Sequence, residues 1–377
     1  MQCVFCVHLP MGVIMITNQI LQKTIDGLSS ITKVDFAVTD PEGAVLASTM
    51  SDASQYSTPT VDFARSHAES QVMDGSEFFK VYDDGNLEFI LIARDDDEEK
   101  AASMGKVAAF QLTELTVAYK ERFDRDNFIK NLLLDNLLLV DIYNRSKKLH
   151  IDVEALRVCI VIEIDDDKKK GDEIECVRGI FGGKSHDFVT AVDEQHIIVV
   201  KQLATNSYDE VEKAAETIFS TFKDRDQGFV RISYGTIVTD LKDVSRSYKE
   251  ATMALDVGRI FFSDKQVIAY SVLGIGRLIY QLPIPLCKMF IGEIFGDKSP
   301  DDFDEETLTT INKFFENSLN VSETSRQLYI HRNTLVYRLD KIQKSTGLDL
   351  RVFDDAITFK IAMMVVEYMK YMEAQDF

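Results

Sequence analysis

Residues 317–350 read NSLNVSETSRQLYIHRNTLVYRLDKIQKSTGLDL, and the turn inside this stretch decides how the C-terminal third folds. Asn320 is an N-cap residue type with Glu323 three positions on, the spacing of a capping box, so a short helix is expected to start at about 321. It should stop near Tyr329. A second helix is expected from about Arg332 to Gly347, a glycine C-cap signal. On that helix Leu335, Leu339 and Ile342 form one apolar stripe, placed to pack on Leu328 and Ile330. At about 100° per residue, Asn333, Tyr337, Asp340, Lys341 and Lys344 project from the opposite side, with Arg332 and Arg338 flanking the stripe.

Two short helices joined by a tight turn, the second carrying polar and basic side chains outward, have the form of a helix-turn-helix, whose second helix enters a major groove. Arginine and asparagine pair bidentately with guanine and adenine, which makes Arg332 and Asn333 candidate base readers. Lys341, Lys344 and Arg351 suit phosphates, which position a protein without reading sequence. Between 321 and 351 the cations Arg326, Arg332, Arg338, Lys341, Lys344 and Arg351 oppose only Glu323, Asp340 and Asp349. The rival is a surface helical hairpin with solvated charges, and Tyr329 stands where many such motifs carry glycine. The residues alone leave both readings open.

The whole chain has 377 residues and a formal net charge of -20, an average surface that repels a polyanion. The acid is gathered in Asp95-Asp96-Asp97-Glu98-Glu99, in Asp165-Asp166-Asp167, and from Asp301-Asp302 through Glu305-Glu306. These runs are expected to lie away from the basic face and, beyond a Debye length of about 8 Å, to oppose it little. The length suits two or three domains. Hydrophobic residues at 45% and charged residues at 28% fit a globular protein, and no apolar run reaches the roughly 18 residues of a membrane span. The opening MQCVFCVHLPMGVIM lacks the basic region and cleavage site of a secretory signal, and Met15 is a candidate natural start. Cys3 and Cys6 form a lone C-x-x-C, while Cys159, Cys176 and Cys287 read as buried thiols in a reducing cytosol; no disulfide, metal or cofactor is expected.

Outward from the C-terminus, the last third from 285 reads as wholly helical. Residues 157–270 alternate strand RVCIVIEID, helix, hairpin DFVTAVDEQHIIVVK, helix, strand FVRISYGTIV and helix LKDVSRSYKEATMALDVGRIF, which predicts a central sheet with helices on its face. At the N-terminal end a helix at 17–30 leads into FAVTD-PEG-AVLAST and a second hairpin, EFFKVY to LEFILIAR, an α+β sensor-like module. Ala108, Leu112, Leu115, Tyr119 and Phe123 mark a helix from Glu98 to about Phe123 that packs on its own domain or dimerises. A second apolar helix is expected at 127–148.

YIHRNTLVYRLDKIQKSTG and the following FDDAITFKIAMMVVEY resemble the C-terminal helix-turn-helix and closing helix of the PucR and sugar-diacid (CdaR) regulator family. The resemblance implies a DNA-contact role for His331, Arg332, Asn333, Thr334 and Tyr337; the cations Arg338, Lys341 and Lys344 of the same helix complete the expected DNA-binding set. IEIDDDKKKG, AVDEQ, ISYGTIV and ATMALDVGRI are similar to a GGDEF-type domain, which this family carries in degenerate form. An active cyclase needs paired glycines for close approach of GTP and carboxylates for Mg²⁺. Ala191 and Val192 stand at the glycine positions, so a structural or dimerising relic is expected; the rival is a nucleotide cyclase using Asp165, Asp193 and Glu194. Gly182-Gly183-Lys184-Ser185 lacks the leading glycine of a phosphate loop and reads as a loop.

LQKTIDGLSSITKVDFAVTDPEGAVLAST resembles the family's diacid-recognition module, while 51–95 departs from it. An acidic effector would want cations, and Arg65, His67, Lys80 and Arg94 are those near the two hairpins. The reading is thus a multidomain α+β chain: a small α+β sensor domain with signalling helix at 15–125, a degenerate GGDEF-like α/β domain at 126–280, and an all-α DNA-binding domain at 285–377 with the helix-turn-helix at 320–345. As a whole it reads as a cytoplasmic regulator, not an enzyme, with double-stranded DNA and a small acidic metabolite as partners, no membrane role, and a homodimer or higher homo-oligomer as its assembly. Activation is what the resemblance implies. A third reading is an interaction scaffold with no DNA role.

Overall fold

The computed structural model describes residues 16–83, 85–164, 171–181, 186–225, 230–296 and 303–375. Cys3, Cys6, Asp165 and the stretch Gly182-Gly183-Lys184-Ser185 lie outside them. The chain divides into two compact units, Met1–Phe128 and Ile129–Phe377.

The first unit runs α1 (Asn18–Thr32), β1 (Asp35–Thr39), β2 (Val45–Ser48), α2 (Ser57–Arg65), β3 (Ser70–Met73), β4 (Ser76–Asp83), β5 (Asn86–Arg94) and most of α3 (Glu98–Leu133). Its five strands pair antiparallel in the order β2-β1-β5-β4-β3. Alternate side chains point to opposite faces, so Phe36, Val38, Phe79, Val81 and Leu91 bury one face with Leu21 and Ile25 of α1 and Ala108 and Leu112 of α3. Ala37, Phe78, Ile90 and Ile92 bury the other against Met50, Tyr56 and Phe63. The edge strand β3 carries no apolar alternation and is exposed along its length except at Met73; its ladder to β4 defines it.

The expected boundary between helices near 123–127 falls elsewhere. Helix α3 continues to Leu133, and the break comes before α4 (Leu139–Lys148), where Asp135 takes φ 62. No glycine or proline marks either place in the sequence; an aspartate tolerates the left-handed region better than most residues, and that ends the helix.

In the second unit β6 (Arg157–Ile164), α5 (Glu173–Phe181), β7 (Phe188–Ala191), β8 (His196–Gln202), α6 (Asp209–Asp224), β9 (Val230–Tyr234), α7 (Val244–Phe261) and β10 (Val267–Ala269) build a sheet ordered β10-β9-β6-β8-β7. All pairs are antiparallel except β9 with β10. Val158, Ile160 and Ile162 of β6 pack with Val211, Ala215, Ile218 and Phe222 of α6. The alternate residues turn to α7, where the Cys159 N–H donates to Ser247 Oγ at 3.0 Å and that hydroxyl donates to the Thr236 carbonyl at 2.8 Å. Burial pushes the Cys159 thiol well above its ordinary range.

The rest is helical: α8 (Gly276–Ile279), α9 (Ile284–Phe295), α10 (Glu305–Glu316), α11 (Val321–Gln327), α12 (Arg332–Thr346) and α13 (Phe353–Gln375). Helix α13 joins this end to the sheet within the same unit. Its Val365 and Tyr368 pack with Ile279 and Cys287, and Arg259 of α7 donates to Tyr371 and pairs with Glu163 of β6 and Asp256. Among the described residues no helix is long and apolar enough to cross a membrane, and no group of three or more His, Cys, Asp or Glu could hold a metal ion.

Gly235, just after β9, lies against the backbone of α7. A Cβ there would collide with the backbone oxygen of Ser247, so α7 can rest on the sheet only because the side chain is missing. Gly235→Ala is therefore expected to destabilise the protein by about 1–3 kcal/mol, the usual scale for overpacking. Urea unfolding reads this directly, and an unchanged midpoint would show that the helix can lift off the sheet at no cost.

Candidate nucleic-acid interface

The motif is assembled by its caps. Asn320 Oδ1 accepts the Glu323 N–H at 3.0 Å and starts α11. Glu323 does not complete the expected box: its carboxylate takes Arg326 at 2.7 Å and Gln327 at 3.0 Å instead. At the other end the Ile330 N–H reaches the Ser325 carbonyl at 3.0 Å and the Tyr329 N–H the Arg326 carbonyl at 3.2 Å, the paired bonds of a Schellman turn. Such a turn puts its C′ residue in the left-handed region, and Tyr329 sits there with φ 54, the residue 95% exposed. Its strain and exposure make it a functional candidate that the sequence showed only as a missing glycine.

Helix α12 is capped by His331, whose Nδ1 accepts the Asn333 N–H at 3.2 Å, and closed by Gly347 at φ 79, whose N–H bonds the Gln343 carbonyl at 2.8 Å. Leu335, Leu339 and Ile342 are all fully buried in one core with Phe295, Ile311, Phe314 and Phe359, joined by Leu328 and Ile330. Burial of each such side chain contributes about 1.5–3 kcal/mol, so this stripe fixes which face of α12 is presented. On the other face Arg332, Asn333, Thr334, Tyr337 and Lys344 are exposed, next to the exposed His331.

The remaining cations are paired with carboxylates. Arg338 donates to the buried Thr310 hydroxyl at 3.0 Å and to Glu306 at 2.8 Å, and Lys341 pairs with Asp304 at 3.0 Å. Arg351 pairs with Asp340 at 2.8 Å and Asp349 at 2.7 Å. Among the described residues Arg332 and Lys344 are the cations of this face with no carboxylate partner. The acidic run at 301–306, expected to stand clear of the basic face, instead delivers two of its carboxylates onto α12. Hydrogen bonding from the Thr307 side chain and from Lys341 holds Asp304 down to about 2, so it is ionised at any physiological pH.

At the GGDEF-like position, Ala191 ends β7 opposite Ile197. Asp193 Oδ1 accepts the Gln195 and His196 N–H groups at 2.9 and 2.7 Å, and its carboxylate meets the His196 ring at 2.8 Å, so it closes its own hairpin. In the first unit Arg94 pairs with Asp52 at 2.8 Å, and Lys80 donates to the Ser66 carbonyl at 2.6 Å while lying over the Phe63 ring. Arg65 and His67 are exposed.

Comparison with known proteins agrees with this layout. Residues 307–365 match the PucR C-terminal helix-turn-helix domain and residues 136–257 the GGDEF-like domain. The chain is similar to the carbohydrate diacid regulator of Escherichia coli (strain K12), 25% identical over 252 residues covering 64% of this chain and 66% of that one. It is also similar to the purine catabolism regulatory protein of Bacillus subtilis (strain 168), 28% identical over 42% of this chain and 31% of that one. A third likeness is to the DNA-binding transcriptional activator AdeR of Bacillus subtilis (strain 168), 26% identical over 45% of this chain and 42% of that one. The match thus spans less than two thirds of each relative's own length.

Replacing Tyr329 by glycine removes the left-handed penalty and no packing, so Tyr329→Gly is expected to stabilise the protein by roughly 1 kcal/mol. A thermal melt reads the shift. Loss of stability would show that the tyrosine ring supports the turn.

Proposed function

We propose that this chain, a member of the PucR and carbohydrate-diacid regulator family by its GGDEF-like and helix-turn-helix domains, regulates transcription by laying α12 in a major groove. The observation that carries the reading is the outward face of α12: Arg332, Asn333, Thr334, Tyr337 and Lys344 stand exposed on a helix whose rotation is locked by three buried side chains. Arg332 and Asn333, in its first turn, are the base readers; His331 at the N-cap and Lys344 in the last turn are placed for backbone contact.

The effector is a small acidic metabolite, taken by the first unit, and its binding activates transcription. Support comes from the relatives, one a carbohydrate diacid regulator and another a transcriptional activator. The working form is a homodimer, because a helix-turn-helix reads two half-sites about 34 Å apart. Val107, Phe110 and Val117, 52%, 66% and 49% exposed on the face of α3 turned away from Ala108 and Leu112, favour the dimerising use of that helix. The GGDEF-like domain is read as non-catalytic, supported by Ala191 and Val192 at the glycine positions and by Asp193 being spent on its own turn.

Binding of the full-length protein to DNA from its own genomic neighbourhood, titrated across salt, tests the reading. Arg332→Ala is expected to cost about 1–3 kcal/mol on the preferred sequence and to relax preference there, and Lys344→Ala to lower the salt slope by about 1 with preference kept. Equal, weak binding to every duplex by all three proteins would return α12 to a packing role. Incubation with GTP and Mg²⁺ is expected to give no cyclic dinucleotide; formation of one would make the middle domain an enzyme.

A further inference from the structure

The two ion pairs between α12 and the start of α10 do little for the fold. The Asp304 and Glu306 side chains are 54% and 76% exposed, and solvent-exposed pairs contribute little to stability. The buried leucines and isoleucine already hold the helix, and the Thr310 hydroxyl already receives Arg338. What the carboxylates do change is the charge that α12 offers to a polyanion. Lys341 and Arg338 each meet an anionic oxygen, at 3.0 and 2.8 Å, in the geometry in which they would meet a DNA phosphate. A phosphate approaching either cation must displace a carboxylate or sit within a Debye length, about 8 Å, of it.

Resting on the DNA-binding reading of α12, we infer that Asp304 and Glu306 are specificity-determining residues: intramolecular phosphate mimics that neutralise Lys341 and Arg338 and so suppress binding to DNA of arbitrary sequence. Non-specific affinity comes almost wholly from cations that displace counterions from phosphates, while discrimination comes from base contacts. Masking two backbone cations while leaving the base-reading turn exposed lowers the first without touching the second. Asp304 keeps this role at every physiological pH, since it stays ionised down to about 2.

The test uses full-length protein and isosteric changes. Asp304 also caps α10, its Oδ1 accepting the Thr307 N–H at 2.7 Å, and Asp304→Asn retains that capping side chain, while Glu306→Gln retains a hydrogen-bond partner for Arg338. Affinity for a random-sequence duplex and for DNA from the gene's neighbourhood is measured at about 50 to 200 mM salt for wild type, each single variant and the double. Glu316→Gln, which removes the partner of Lys313 at the far end of α10, is the control. The double variant is expected to bind the random duplex on the order of ten-fold tighter at low salt, with a log–log salt slope steeper by about 1 to 2, and to discriminate less between the duplexes. The control should match wild type. Unchanged slope and affinity in folded double variant, or weaker binding to both duplexes, would overturn the inference and leave the carboxylates as struts. If the wild type prefers no duplex while the double variant's salt slope steepens as expected, the regulator reading fails on its own; if the wild type and the variants bind neither duplex, both fall.

Discussion

Leu335, Leu339 and Ile342 are buried completely in the core that Ile311 and Phe314 of α10 and Phe359 of α13 also enter, and this contact sets the rotation of α12 about its axis. Helical geometry then leaves no choice: with about 100° between successive residues, Asn333, Tyr337 and Lys344 must point outward once those three point in. The caps at His331 and Gly347 set where the helix begins and ends, which puts Arg332 and Asn333 in the first turn. Specific recognition needs such fixed presentation, because a bidentate contact to a base edge tolerates little error in position.

The same core extends into the rest of the unit. Helix α13 contributes Phe359 to the α12 core and, further along, Val365 and Tyr368 to a cluster with α8 and α9. Its Tyr371 accepts from Arg259 of α7, which also pairs with Glu163 of the central strand. The GGDEF-like sheet is therefore tied to α13 through α7, and α7 lies close to that sheet because Gly235 has no side chain.

Local signals carried much of this into the sequence. The Asn320 and Gly347 caps, the apolar stripe of α12, both hairpins of the first unit and the sheet around β6 follow from spacing and turn chemistry within a few residues. Part of what the sequence hid was set by distance along the chain. Counting charge between 321 and 351 gives a basic face, yet Asp304 and Glu306 fold onto it from outside that window and remove two of its cations. Arg351, read as free for phosphate, is bound by Asp340 and Asp349, which the count had merely set against it. Strand β10 adds only three residues and owes its place to parallel pairing with β9, and the α3 break rests on one left-handed aspartate; neither leaves a periodic trace.

The central claim is that the exposed face of α12 touches DNA bases. Site-specific photo-crosslinking tests it most directly: a benzophenone side chain placed at Tyr337 of the full-length protein, with the same group at the exposed Glu216 of α6 as reference, irradiated on DNA from the gene's neighbourhood. The account predicts crosslinks from position 337 to bases within one major-groove half-site and none from position 216. Crosslinks from 216 with none from 337 would contradict it and move the DNA-binding surface away from the helix-turn-helix.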